Sequence, residues 1–178
     1  MRELFVCLYV DDFLYTGDSA LMAEFKAAIE TRFRVRHLDG TEFLGLSIEY
    51  DRSKGVLEIG QAKYVEKVLK RFGFWECKAR PTPMAANRRL ERLDGECKDQ
   101  QLQTRYRQMV GSLMFLATST RVDIAYAVKE LSRHLVHPAE EHVRAAGRVF
   151  RYLRGTINHK LTYRRDATAR FYGSADAD

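Results

Sequence analysis

The hydrophobic period of this sequence changes along its length. From Tyr106 onward, apolar residues recur every three or four positions in three successive stripes: Tyr106, Val110, Leu113 and Ala117; Ile124, Val128, Leu131 and Leu135; Val143, Ala146, Phe150 and Leu153. That spacing predicts three helices. The first third reads differently. Leu4 to Val10 is a β-prone run, the acidic pair Asp11-Asp12 follows, and Phe13-Leu14-Tyr15 resumes the apolar pattern, which predicts two strands around an acidic turn. Asp18 or Ser19 then caps a helix bearing Leu21, Phe25, Ile29 and Phe33. Leu44, Leu46, Ile48 and Tyr50 alternate, the polar turn Asp51 to Gly55 intervenes, and Leu57 and Ile59 alternate again, predicting a β-hairpin.

A helix with Tyr64, Val68 and Phe72 on one stripe follows, with Gly73 as its stop signal. Trp75 to Gln103 contains Pro81-Thr82-Pro83 and no sustained period, so a long connection is expected there. Lys160 to Tyr172 returns to strand-like alternation. Strands gathered at the front and helices behind predict an α+β fold: an antiparallel layer with one packed helix, a mainly helical region of about four helices, and a terminal strand without a sheet of its own.

Composition narrows the class of partner. Thirty Lys+Arg against 24 Asp+Glu give a formal charge of +6, which favours a polyanion. Cys7, Cys77 and Cys97 are odd in number and lack C-x-x-C spacing, so neither a disulfide framework nor a zinc site is indicated. A reducing, intracellular setting is the simplest expectation. The longest apolar run, Leu4 to Val10, is far too short to span a bilayer, and no membrane partner is expected.

Two features bear chemistry. Tyr9-Val10-Asp11-Asp12 places two carboxylates at a hairpin tip. Such a pair suits a hard cation that keeps several waters and is shared with phosphates, although Asp is also common in ordinary turns. Arg144, Arg148, Arg151 and Arg154 fall on one side of a helix, away from its apolar stripe. They read either as a track for a phosphate backbone or as a solvated face. His134, His137, His142 and His159 lack paired metal spacing and read as surface or capping residues.

The acidic hairpin opens a fixed series of segments. Phe43-Leu44-Gly45-Leu46, Gln61-Ala62-Lys63-Tyr64, Thr82-Pro83-Met84, Tyr106 to Leu116, Thr120 to Val128, Leu131-Ser132-Arg133, His142, Ala145 to Val149, Arg151 to Thr156 and Tyr172 to Asp178 follow in order. Together they resemble the Ty1/copia-type retrotransposon reverse transcriptases, and the resemblance covers nearly the whole chain. It implies that residues 1–60 form the end of a palm with a primer-grip-like hairpin. Residues 61–159 would form a thumb with a connecting loop at 75–103, and 160–178 would start a ribonuclease H domain.

The resemblance also implies site roles. Asp11 would be the principal ligand of Mg²⁺ or Mn²⁺ and Asp12 its neighbour, while Asp176 would be the first metal carboxylate of ribonuclease H. Tyr9, Phe43, Leu44, Gly45 and the four arginines of the stripe would touch an RNA or DNA primer-template. Fingers and a further palm aspartate would lie before Met1, so the chain is expected to act joined to the remaining polymerase segments and not to hold metal stably alone. The polyprotein setting implies a cytoplasmic virus-like particle or the nucleus. A non-catalytic nucleic-acid-binding module and an inert relic are the competing readings. Two departures from the family pattern, Val122 for a usual proline and Gly147 for a usual lysine, read as drift, the glycine costing about 1 kcal/mol relative to alanine.

Overall fold

The computed structural model describes residues 2–85, 90–91 and 99–165. Cys97, Asp176 and the segment Tyr172 to Asp178 singled out above lie outside these. The chain divides into two compact units, Met1–Ile48 and Glu49–Asp178.

In the first unit, β1 (Leu4–Tyr9) pairs antiparallel with β2 (Asp12–Gly17), Tyr9 opposite Asp12. The hairpin is therefore closed by Val10 and Asp11 alone. α1 (Ser19–Glu30) follows, and the Asp18 carboxylate caps it by accepting from the Ala20 and Leu21 amides at 3.0 and 3.3 Å. This cap satisfies donors that a helix start leaves unpaired. Phe25 sets its ring against Tyr15 and Phe13, with centroids 5.2 and 6.1 Å apart. The expected stripe ran to Phe33, but the helix stops at Glu30 and Phe33 is exposed.

No described residue of this unit is fully buried. Phe5, Leu8 and Tyr9 are each more than half exposed. A two-stranded ribbon with only α1 packed on it buries little and is marginal by itself.

β3 (Glu42–Phe43) pairs antiparallel with the start of β4 (Leu46–Asp51), Phe43 opposite Leu46. Leu44 had been expected in the strand. Instead Leu44 and Gly45 form the two-residue turn, with φ +52° and +77°, the pattern of one of the two turn types that match the twist of so tight a hairpin. Gly45 adopts it without strain, whereas Leu44 is strained there.

In the second unit, β5 (Val56–Gly60) lies between β4 and β6 (Lys160–Arg164). The β4–β5 turn is organised by Asp51, whose carboxylate accepts from the Ser53 and Lys54 amides at 3.1 Å each. Ile59 faces Leu161 across the β5–β6 pair. The final strand thus has a sheet, contrary to expectation. Alternation at Leu161 and Tyr163 marks a strand in the sequence, but its partner lies a hundred residues earlier and leaves no local signal. This pairing joins residues on both sides of the expected division at residue 60.

The core belongs to the helices. α2 (Ala62–Phe72) buries Val65, Val68 and Leu69, and Gly73 ends it in left-handed backbone. α3 (Gln100–Ser119) buries Tyr106, Met109, Val110, Leu113 and Leu116. A short 3-10 turn at Val122–Ile124 leads into α4 (Ala125–Ser132). α5 (Glu140–Gly155) contributes Ala146, Val149, Phe150 and Leu153. These side chains form one cluster, so the three helical stripes face each other as their period predicts. Leu135 lies beyond the end of α4.

Gly147 is not drift in this packing. A Cβ built on it would lie 2.9 Å from Phe74 Cζ. Phe74 stacks on Phe150 with centroids 5.3 Å apart and planes 11° from parallel. The missing side chain is the space that the Phe74 ring occupies. Val122, the other departure, is 64% exposed and fills no core position.

Candidate functional site: the acidic hairpin and its cleft

A cleft of about 600 Å³ lies wholly within the first unit. Asp11 and Asp12 line it, as do Phe43, Leu44 and Gly45 of the strained turn. The fold therefore brings five of the sequence-nominated residues to one place. Tyr9 is not among the lining residues and is 58% exposed. Val10, beside Asp11, has φ +56°. A β-branched residue in left-handed backbone is costly, and such strain concentrates where a turn must aim a functional group.

Lys26, Arg34 and Arg36 line the same cleft, and sequence reasoning passed over them. For Arg34 and Arg36 the signal was their alternation, which in extended chain sends both to one side; Lys26 reaches the cleft from α1 and had no such signal. His37 also lines the cleft and holds Glu30 at 2.6 Å.

The donor set can be compared with the metal it implies. Both aspartates are exposed oxygen donors, and among the described residues no group of three His, Cys, Asp or Glu side chains is arranged to hold an ion. Two carboxylates at a cleft fit a Mg²⁺-like ion that keeps waters and takes its other ligands from phosphates. They do not form a closed protein cage.

The arginine stripe has a structural occupation. Arg154 Nε donates to the Trp75 carbonyl at 2.7 Å, and its guanidinium lies 4.8 Å from the Trp75 ring centroid. Arg151 Nε donates to the Lys78 carbonyl at 2.8 Å, and Arg148 Nη2 donates to Thr82 Oγ1 at 2.8 Å. Three of the four arginines thus lay the 75–82 stretch along α5. Arg144 is exposed.

A second polar assembly gathers residues from three of the sequence signatures. Arg121, 1% exposed, forks onto Asp123 and reaches Thr156, while Tyr152 Oη donates to Asp123 Oδ2 at 2.8 Å. Burial raises the Asp123 carboxyl, but hydrogen bonds from Arg121 and Tyr152 and the charge of Arg121 outweigh it and hold the group below its usual range. Nearby, Thr120 Oγ1 donates to Gln61 Oε1 at 2.8 Å, both residues being buried. These signature residues hold the helical unit together.

The histidines divide. His142 Nδ1 accepts from the Ala139 amide at 2.8 Å, capping α5 as expected, which leaves Nε2 to donate to the Glu91 carbonyl at 3.0 Å. It is nevertheless fully buried and stacked 4.1 Å from His134. Neither lies on the surface, because the helix start that His142 closes is packed into the core and His134 stacks on it.

A family model described as reverse transcriptase (RNA-dependent DNA polymerase) matches residues 1–86. Over 166 residues the chain is 36% identical to the retrovirus-related Pol polyprotein from transposon TNT 1-94 of Nicotiana tabacum, covering 90% of this chain and 12% of that protein. Over 177 residues it is 37% identical to the Pol polyprotein from transposon RE1 of Arabidopsis thaliana, covering 98% of this chain and again 12% of the relative. It is also 30% identical over 177 residues to an uncharacterized mitochondrial protein of Arabidopsis thaliana, covering 98% of this chain and 71% of that one. No solved structure matches. The chain spans 12% of the length of the two polyproteins. It belongs to the reverse transcriptase family of Ty1/copia-type retrotransposon Pol polyproteins.

Proposed function

We propose that this chain supplies part of the polymerase centre and part of the duplex-gripping region of an RNA-directed DNA polymerase. The cleft of the first unit carries the reading: Asp11 and Asp12 share it with Lys26, Arg34, Arg36 and the Phe43–Gly45 turn. Carboxylates opposite cations suit chemistry on phosphates, the acids facing a metal and the bases facing phosphate oxygens. Asp11 and Asp12 would hold a divalent ion, Mg²⁺ or Mn²⁺, which would supply activation of an attacking hydroxyl and neutralisation of developing charge. Asp11, at the hairpin tip, is the principal ligand and Asp12 its neighbour. Lys26, Arg34 and Arg36 hold phosphate, and Tyr9 with the Phe43–Gly45 turn positions primer or template.

Two-metal phosphoryl transfer takes carboxylates from separate strands. The chain therefore acts joined to further polymerase segments of a polyprotein, on an RNA or DNA primer-template inside the cell. Residues 1–60 serve as palm and 61–159 as thumb, with Arg144 the stripe residue most open to a phosphate backbone. Residues 160–178, with Asp176, lead into ribonuclease H. Primer extension by a Pol polyprotein carrying this segment tests the reading. Arg34→Ala with Arg36→Ala is expected to raise the KM for nucleotide or primer-template, and unchanged kinetics would remove the cleft from the mechanism.

A further inference from the structure

We propose that the cleft between α5 and the stretch around Phe74 to Ala85 binds a small amphiphilic anion, a carboxylate with a short apolar body. The proposal goes beyond the polymerase reading: it uses no residue of the acidic-hairpin cleft, although Arg144 is shared with the phosphate-facing stripe. The cleft holds about 450 Å³, within the roughly 300–1,000 Å³ range of small-molecule sites. Its two kinds of wall decide the ligand. Phe74, Pro83, Met84, Leu131 and Val143 are apolar. Arg80, Arg144, Arg148 and Arg151 also line it, and none of the described lining residues is acidic.

The position of the Arg148 guanidinium strengthens the case. Nη2 is held by Thr82 Oγ1 at 2.8 Å, while Nε is buried with no hydrogen-bond partner among the described residues. A guanidinium left short of acceptors carries a cost that a negative charge in the cleft beside it would offset in part. Arg80 and Arg144 are exposed and supply further charge at the mouth. A neutral apolar ligand would leave the guanidinium unsatisfied, and a bare inorganic anion would leave the Phe74, Met84 and Val143 wall wet. A carboxylate on a short chain answers both, with its head toward Arg80, Arg144 and Arg148 and its body along that wall.

Titration calorimetry of the full chain with octanoate, 1-octanol and inorganic phosphate tests this. Octanoate is expected to bind saturably at one site per chain. The alcohol and phosphate should each bind at least about tenfold more weakly, as expected when a charge-assisted hydrogen bond or the apolar contact is lost. Arg80→Ala with Arg144→Ala should weaken octanoate about tenfold with the midpoint of urea unfolding unchanged, which separates lost binding from lost fold. Absence of saturable uptake would overturn the proposal. So would equal binding of octanoate and octanol, equal binding of octanoate and phosphate, or an affinity indifferent to the arginines.

Discussion

Arg121 grips Asp123 through two nitrogens, Nε to Oδ1 at 3.0 Å and Nη2 to Oδ2 at 2.8 Å. The same guanidinium donates to the Thr156 carbonyl at 3.0 Å and its hydroxyl at 2.6 Å. Thr156 caps the C-terminus of α5, where unpaired carbonyls and the negative end of the helix dipole favour a cation. One buried side chain thus ties the end of α3 to the end of α5.

Replacing Arg121 by lysine keeps the charge and loses the planar fork, which is not a conservative change at a bidentate site. Because the partners stay where they are with hydrogen bonds unmade, Arg121→Lys is expected to destabilise the chain by about 3 kcal/mol. Urea unfolding measures it, and a loss below about 1 kcal/mol would mean that solvent reaches this assembly.

Gly147→Ala sets helix propensity against packing. Propensity alone favours alanine by about 1 kcal/mol. The new Cβ would sit 2.9 Å from Phe74 Cζ, and overpacking costs about 1–3 kcal/mol. A net destabilisation is expected, relieved in the double variant with Phe74→Leu, so that the pair is non-additive. A more stable Gly147→Ala would contradict the packing account.

These two sites show what the sequence disclosed. Leu21, Phe25 and Ile29, and the stripe through Val143, Ala146, Phe150 and Leu153, were legible because a helix writes its buried face into local spacing. A hairpin around Asp11 was legible, since strand-forming residues flank it, but the turn falls one residue earlier than the acidic pair, at Val10–Asp11, and Asp12 opens β2. The need for glycine at 147 was not, because the reason is Phe74, far away in the chain. The work of Arg148, Arg151 and Arg154 was hidden for the same cause: a charge stripe looks alike whether it meets water, phosphate or a neighbouring carbonyl. Leu44 fitted an alternating pattern, yet the chain reverses there, and a two-residue turn leaves the period of its flanking strands intact.

Burial lowers the pKa of His134, a proton on the stacked His142 would lower it further, and the charge of Arg133 lowers it as well, against the opposing pull of Glu130 and Glu141. A depressed folded value means that the unfolded chain takes up the proton first. The associated stability is therefore complete above the unfolded value of about 6.5 and is lost as pH falls from there through the folded value. Urea midpoints between about pH 8 and 5 should decline on the acid side, and His134→Phe should flatten that decline. A slope unaffected by the substitution would assign it to other groups.

Arg154→Ala removes both the hydrogen bond to the Trp75 carbonyl and the stack on its ring. A cost of about 1–2 kcal/mol is expected, with faster tryptic cleavage after Lys78, which the staple holds against α5. Unchanged cleavage rates would show that Arg148 and Arg151 suffice.

The polymerase assignment stands or falls on the hairpin tip. Single-turnover primer extension by a Pol polyprotein carrying this segment, with duplex affinity measured in parallel, compares the parent with Asp11→Asn. The account predicts that extension is lost while primer-template affinity stays within a few-fold, because the carboxylate serves the chemistry and the cationic surface serves binding. Extension at the parental rate by Asp11→Asn would contradict it.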